Sequence, residues 1–160
     1  MILLVHMIFG AAVGYGTHSL TGGIWISFIV ALMSHYFLDF FPHVEYIASA
    51  DSLGKRIKTD SFKSYFFDVV KVFLDFLFGL ALILIFSNNQ VIIYVFAFLA
   101  IIPDGITIIN SLVESNILKK HQKLHGDIIQ YLTKSKKFPM FWRIFTQVAA
   151  LLVSIILLRI

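Results

Sequence analysis

Five long apolar segments, separated by short polar turns or basic loops, constrain what this chain can fold into. They cover residues 2–20, 24–41, 65–86, 91–109 and 139–158. A helix needs about 20 residues to cross the hydrocarbon core of a bilayer, and each segment is close to that length. Because 59% of the 160 residues are hydrophobic and only 14% are charged, a soluble fold would leave too much apolar surface in water. The sequence predicts an all-α membrane bundle of about five transmembrane helices, forming one domain over residues 1–160.

The basic residues predict how the bundle is oriented. Residues 42–64 contain four of them and residues 110–138 contain six, whereas the turns at 21–23 and 87–89 contain none. With five crossings, both basic loops lie on the side of the N-terminus, and the positive-inside rule makes that side cytoplasmic. This placement accounts for the net charge of +4 without nucleic-acid binding. We expect a multi-pass protein of the cell membrane, in contact with lipids, whose N-terminus is cytoplasmic.

The second basic loop contains a further periodic pattern. Leu118, His121, His125, Ile128 and Leu132 recur at intervals of three or four residues, which places them on one face of a helix. The charged residues Lys119, Lys120, Lys123, Asp127 and Lys134 lie on the remainder of the helix. This pattern predicts an amphipathic helix lying on the cytoplasmic membrane surface, with its two histidines facing inward.

Two other patterns predict structural roles. Gly10 and Gly14 form a GxxxG motif, which is typical of closely packed membrane helices and allows a homodimer. Asp68, Lys71 and Asp75 recur on one face of the third segment. At that spacing they predict an ion-pair stripe inside the bundle.

Histidines and aspartates gather toward the cytoplasmic side. His35 and Asp39 are four residues apart, so they lie on the same helix face, and His43 continues the row if the helix runs through Pro42. Of the six histidines, only His18 is expected at the opposite face. An acidic side chain at the bilayer centre costs roughly 2.5–3.5 kcal/mol, so these groups must be paired, hydrated or bound to metal.

Imidazole and carboxylate groups at such spacings suit a divalent cation with nitrogen and oxygen ligands, and zinc is the usual one. Asp39 and Asp104 are the candidate catalytic carboxylates. Pro103, next to Asp104, is expected to loosen its helix and free a carbonyl group. The predicted metal ligands are His6, His35, Asp39, His43, Asp104, His121 and His125.

Four short strings in the chain have the form of known family motifs. They are SHYFLDFFPH at residues 34–43, IPD at 102–104, HQKLH at 121–125 and HMIFG at 6–10. Together they resemble the HxxxD helix end, the Leu-Pro-Asp turn, the paired-histidine segment and the N-terminal His-Gly helix of the small membrane-bound proteins classed as metal-dependent hydrolases. The chain departs from the family at Gly105-Ile106, where the family has a second acidic residue. The resemblance implies hydrolysis that depends on a metal ion.

Three functions are compatible with these patterns. The first is a metal-dependent hydrolase acting on a lipid-borne ester or phosphoester at the cytoplasmic interface, where Lys119 and Lys123 attract anionic head groups. The second is a transporter or proton-relay protein, which requires polar residues across the whole membrane. The third is a non-catalytic scaffold in which the polar groups only hold helices together.

Overall fold

The computed structural model describes residues 2–44, 62–113, 115–129 and 138–159. Every regular element in these ranges is helical, which confirms the all-α prediction. Much of both basic loops and the side chain of Asp68 lie outside the described part. The elements are α1 (Leu3–Thr21), α2 (Ile24–Asp39), α3 (Phe62–Phe86), α4 (Val91–Leu112), α5 (Asn116–Gln122), a π-helix (Lys123–Ile129) and α6 (Met140–Arg159).

The number of long helices differs from the prediction of about five. Four described helices, α1, α3, α4 and α6, are long and apolar enough to cross a membrane. Helix α2 has 16 residues, which is about 24 Å at 1.5 Å per residue. It ends at Asp39 rather than running to residue 41, because the residue before a proline is disfavoured in the α conformation and Pro42 follows Phe41.

The outer faces of the long helices are apolar, as expected of a membrane protein. Phe73 and Phe78 on α3 are 57% and 59% exposed, and Phe141 and Trp142 at the start of α6 are 67% and 50% exposed. Such surfaces are unfavourable in water and suit contact with lipid. Aromatic residues at a helix end are also typical of the membrane–water boundary.

Helix α1 is the centre of the bundle and packs against α2, α3, α4 and α6. Its GxxxG motif lies against α4. A methyl group added at Gly10 would collide with the Ala100 side chain, and one added at Gly14 would lie 2.6 Å from Phe96 Cγ. The predicted close packing is therefore found, but within one chain. This face is not available for the homodimer that the motif allowed.

The two glycines at 14 and 16 give a matched test of this packing. We expect Gly14→Ala to destabilise the bundle by about 1–3 kcal/mol, because the extra carbon overpacks the contact with Phe96. Gly16→Ala should be neutral or stabilise it by up to about 1 kcal/mol, since no atom lies within 4 Å of the added carbon and alanine favours the helix. Thermal unfolding in detergent compares the two. Equal effects would show that the α1–α4 contact is not tight.

Asp75 has a structural role at the start of α1. Its Oδ2 accepts a hydrogen bond of 3.0 Å from the backbone N–H of Leu4. This amide belongs to the first turn of α1, where backbone N–H groups lack partners within the helix. A carboxylate is also favoured at the positive end of the helix dipole.

The predicted surface helix is part of a helical hairpin in the structure. The Asn110 side-chain amide donates to the Gln122 side chain, and Thr107 Oγ1 lies 3.3 Å from His125 Nδ1. The later residue on the π-helix, His125, contacts the earlier residue on α4, Thr107. Helix α5 and the π-helix therefore run antiparallel to the end of α4. The periodic pattern did not predict the change from α to π hydrogen bonding at Lys123, and π-helices are often found at functional sites.

Candidate metal centre

Six of the predicted metal ligands converge at the end of the bundle where α1 begins. They come from three helices, the π-helix and the residues after α2. Five are 3% exposed or less, whereas the Asp104 side chain is 32% exposed. The six are His6 on α1, His35 and Asp39 on α2, His43 after α2, Asp104 on α4 and His125 on the π-helix.

Three ligand atoms form a compact triangle. His125 Nε2 lies 2.7 Å from Asp39 Oδ2, His35 Nε2 lies 3.3 Å from the same oxygen, and the two Nε2 atoms are 3.0 Å apart. Ligands bound at about 2.0–2.1 Å in a tetrahedral site are roughly 3.3 Å from one another. The triangle therefore has nearly the size that a bound zinc ion requires.

The orientation of His35 is determined by a bond to α4. Its Nδ1 lies 2.8 Å from the Ala100 carbonyl oxygen, which can only accept, so Nδ1 carries the hydrogen. In the neutral ring Nε2 then presents its lone pair toward Asp39. The accepting carbonyl lies in the turn before Pro103, where the sequence predicted a loosened helix. Metal-binding histidines are typically held by such a bond at the second nitrogen.

His125 is oriented in the same way through Thr107. The Thr107 hydroxyl donates a hydrogen bond of 3.0 Å to the Pro103 carbonyl. Its oxygen is therefore left to accept the hydrogen on His125 Nδ1, 3.3 Å away. His125 Nε2 is then also a lone pair directed at Asp39.

With both rings neutral, the triangle consists of acceptors only. Two imidazole lone pairs and a carboxylate oxygen repel one another unless positive charge lies between them. The two Nε2 atoms are 3.0 Å apart, so they cannot both carry a hydrogen pointing into the triangle. A divalent cation satisfies all three atoms at once, and the residues fit such an ion. This His/Asp group can hold a metal ion.

The second oxygen of Asp39 faces two further histidines. Asp39 Oδ1 lies 3.3 Å from His6 Nε2 and 3.9 Å from His43 Nε2. His43 Nδ1 lies 2.8 Å from the Phe41 carbonyl oxygen, so its Nε2 is also free of hydrogen in the neutral ring. The condition under which His43 would extend the helical row, a helix that runs through Pro42, is not met, because α2 ends at Asp39. The turn after the helix brings His43 to the site instead.

Asp104 is placed at the open edge of the cluster. Its Oδ1 lies 3.5 Å from His35 Nε2 and 4.0 Å from His125 Nε2. A methyl group added at neighbouring Gly105 would meet nothing within 4 Å. Asp104 is therefore the accessible carboxylate of the site, in contrast to buried Asp39.

His121 lies beside the cluster and not in it. Its Nε2 accepts a hydrogen bond of 3.0 Å from the Tyr36 hydroxyl, and its ring stacks on His125 with centroids 5.7 Å apart. Burial lowers the pKa of His121, and the neighbouring His125 lowers that pKa further. A neutral His121 that accepts from Tyr36 supports the position of His125 and is not directed at Asp39.

Sequence reasoning missed the residues that orient the ligands. Thr107 and Tyr36 were not predicted: Tyr36 occupies a position that the HxxxD pattern leaves open, and Thr107 belongs to none of the four strings. Thr107 is four residues after Pro103, which allows its hydroxyl to reach the Pro103 carbonyl. Its contact with His125 depends on the hairpin, which the local pattern did not predict.

Helices α3 and α6 extend past the level of the site. Gly79 on α3 lies against Met7, next to His6. The candidate span of α3 begins at Val69, ten residues earlier, so roughly 15 Å of helix extends beyond the level of the site. On α6, the Gln147 side-chain amide donates a 2.8 Å hydrogen bond to the carbonyl of Val44, the residue after His43. Gln147 is seven residues after Met140, the first residue of α6, so roughly 10 Å of this helix precedes it.

Comparisons with protein-family models, with curated proteins and with solved structures found no match for this chain. The resemblance to the membrane-bound metal-dependent hydrolases therefore stays a prediction based on four short strings. A function for this chain has to be argued from the geometry of its own residues.

Proposed function

We propose that this protein is a membrane-embedded metal-dependent hydrolase that cleaves a lipid-borne ester or phosphoester, with zinc as the ion. The observation that carries the proposal is the triangle of His35, Asp39 and His125. Its atoms are spaced for a tetrahedral ion, and both imidazoles are anchored through Nδ1 so that their lone pairs meet the carboxylate. Such anchoring is typical of metal sites.

The site residues have distinct roles in this proposal. His35, His125 and Asp39 bind the ion, and three protein ligands with an open position are typical of catalytic zinc. When bound, the ion lowers the pKa of water and polarises the oxygen of the ester or phosphoester. Asp39 is buried among imidazoles and is a ligand. Asp104, the accessible carboxylate, is the general base.

The reaction that these residues support is a simple hydrolysis. Asp104 takes a proton from the attacking water, and the water oxygen forms a bond to the carbonyl carbon or the phosphorus. The bond from that atom to the oxygen of the leaving alcohol breaks. The alcohol then takes the proton back from Asp104, so that one water is consumed and an acid and an alcohol are formed.

The depth of the site supports a lipid substrate. Roughly 10–15 Å of α3 and α6 extends beyond the level of the cluster, and those helices have apolar outer faces. A lipid already lies at that depth, whereas a water-soluble substrate would have to be brought there. Exposed Lys119 and Lys123 follow α4 at the same end of the bundle and favour anionic head groups and a cytoplasmic orientation of that end.

A groove along the seam of α1 and α2 also supports a lipid substrate. It has a volume of about 280 Å³ and an almost wholly apolar lining. Both helices carry site residues, and Phe9 in the groove is one turn from His6. We propose that an acyl chain of the substrate lies in it. The lining residues are Phe9, Val13, Val30, Met33, Ser34 and Phe37.

Filling this groove is expected to affect long substrates selectively. Val30→Trp should lower the hydrolysis of p-nitrophenyl palmitate in micelles by about tenfold or more. The indole would displace a few methylene groups of the acyl chain from the groove, and each buried methylene contributes about 0.8 kcal/mol. Hydrolysis of p-nitrophenyl butyrate should change little. The control is Leu84→Trp on α3, where the side chain is 57% exposed. Equal losses on both esters would contradict the acyl-chain role of the groove.

The proposed function is tested by metal content and hydrolysis together. The purified protein should contain stoichiometric zinc and hydrolyse p-nitrophenyl butyrate or bis(p-nitrophenyl) phosphate. His35→Ala should lower zinc affinity by more than about tenfold, since it removes a ligand as well as its anchor. His18→Ala, at the far end of α1, is the control and should bind zinc normally.

Two results would contradict this function. Wild-type protein that binds no metal at micromolar zinc would remove its basis. Metal-loaded protein with the same hydrolysis rates as His35→Ala on both probes would show that the site binds an ion without performing this chemistry.

The packing beyond the site argues against a relay across the membrane. Next to the cluster, α1 and α4 meet through Gly10, Gly14 and Ala100, and the core continues with fully buried Ala11 and Ala97. A proton or ion relay requires polar groups along its path. In the described helices, the polar side chain beside Gly10 at this seam is Ser34, whose hydroxyl donates to the Ala31 carbonyl of its own helix.

A further inference from the structure

Arg143, near the start of α6, has no role in the proposed reaction. It follows Met140, the first residue of the helix, by three positions, and its side chain is partly buried. Its Nε is enclosed and makes no hydrogen bond within the described ranges. A guanidinium is always charged, and a charge at membrane depth is paired or hydrated. Arg143 therefore needs a partner that the described residues do not supply to Nε.

The face of α6 that carries Arg143 holds the segment around His43. Thr146 and Gln147 are three and four residues after Arg143, which places all three on one helix face. The Thr146 hydroxyl donates to the carbonyl of the residue before His43, and the Gln147 amide donates to the carbonyl of the residue after it. Thr146 Oγ1 also lies 3.2 Å from the carbonyl oxygen of Arg143. Arg143 is therefore adjacent to the segment that brings His43 to the site.

Arg143 lies between this contact and the membrane boundary. It is four residues, or roughly 6 Å, nearer the start of α6 than Gln147, and helical side chains lean toward the N-terminus of their helix. Exposed Phe141 and Trp142 precede it, and aromatic residues of this kind are typical at the level of the lipid head groups. A long arginine side chain keeps its carbon stem in apolar surroundings while its charged end reaches the polar interface. Lipid phosphates lie at that level.

We propose that Arg143 binds the phosphate group of the lipid substrate, so that the protein acts on a phospholipid. The inference rests on the proposed function, and it narrows the substrate from any lipid-borne ester or phosphoester to a lipid that carries a phosphate. A guanidinium binds phosphate through two parallel N–H bonds, whereas a neutral lipid offers it no anion. Because Arg143 is partly buried, its charge is screened less than the charges of exposed Lys119 and Lys123.

Native mass spectrometry of the zinc-loaded protein in detergent tests this contact. Given equal amounts of dioleoylphosphatidylglycerol and dioleoylglycerol, wild type should prefer the phospholipid by about tenfold or more, the factor that a hydrogen bond to a charged group contributes. Arg143→Gln should lose this preference. Arg143→Lys should keep part of it, because an ammonium group lacks the two parallel N–H bonds. The matched control is Arg159→Gln, at the other end of α6, where the guanidinium lies over the Phe86 ring. It should bind like wild type.

The outcomes separate this inference from the proposed function. The same phospholipid preference in wild type and Arg143→Gln would overturn the phosphate contact. Displacement of the phospholipid by excess inorganic phosphate would assign the site to the free ion and overturn the lipid as its source. Hydrolysis of p-nitrophenyl butyrate without any phospholipid preference in wild type would overturn the role of Arg143 and retain the proposed function. A preference that depends on Arg143, in a protein that hydrolyses neither phospholipid nor p-nitrophenyl probes, would support the phosphate contact and contradict the proposed function.

Discussion

Replacing Asp39 with asparagine is expected to abolish metal binding and hydrolysis together. Asp39 faces His35 and His125 with one oxygen and His6 and His43 with the other. Asparagine keeps the shape of the side chain but removes the negative charge and replaces one acceptor oxygen with a donor. Because removing a single outer-shell partner already costs 10–100-fold in affinity, we expect loss of this ligand to lower zinc affinity by more than about 100-fold.

A matched control separates this effect from unfolding. Asp75→Asn changes another partly buried aspartate in the bundle, at the start of α1, and should bind zinc normally. The Asp39→Asn variant should also unfold in chelator at or above the temperature of metal-free wild type, since an uncompensated buried charge is destabilising. Normal zinc content in Asp39→Asn would refute the assignment of Asp39 as the central ligand.

Removal of metal by a chelator is expected to cause a large loss of thermal stability. The three proposed ligands come from α2 and the π-helix, and their imidazoles are anchored to α4, so bound metal connects these three elements at this end of the bundle. An ion present at 1,000 times its dissociation constant stabilises the folded state by about 4.1 kcal/mol. For a chain of this size each kcal/mol corresponds to about 2–4 °C, so the unfolding temperature should fall by roughly 8–16 °C.

The measurement is thermal unfolding in detergent, before and after chelation and after zinc is returned. Zinc should restore the lost stability in wild type, and Asp39→Asn should not respond to either treatment. An unfolding temperature that stays constant while the metal is removed would favour the non-catalytic scaffold, in which the polar groups only hold helices together.

Part of the site could be predicted from local sequence because it depends on one helix. His35 and Asp39 share a face of α2 by their spacing alone, and the apolar runs on either side place them in the bundle. The cost of polar groups in lipid then indicates that they are partnered. Both inferences need only the helical period and the membrane solvent, which act on each segment separately.

The remaining contacts depend on packing between elements. His121 and His125 have the same spacing as His35 and Asp39, yet only His125 reaches the carboxylate, because the π-helix and the hairpin with α4 redirect the chain. His43 enters through a turn that ends α2 early. The spacing of residues within a segment carries no information on either arrangement.

The sequence by itself determined the all-α membrane fold, the close-packing role of Gly10 and Gly14, and the gathering of histidines and aspartates at one end. Hydrophobic length and helical period are sufficient for these, since they are properties of single segments. Only the tertiary structure decided that the glycines pack against α4 within the chain, that Thr107 and Ala100 orient the imidazoles, and that Asp39 lies between two pairs of histidines. These features arise where helices distant in sequence come within a few ångströms, and that proximity is set by how their side chains interlock.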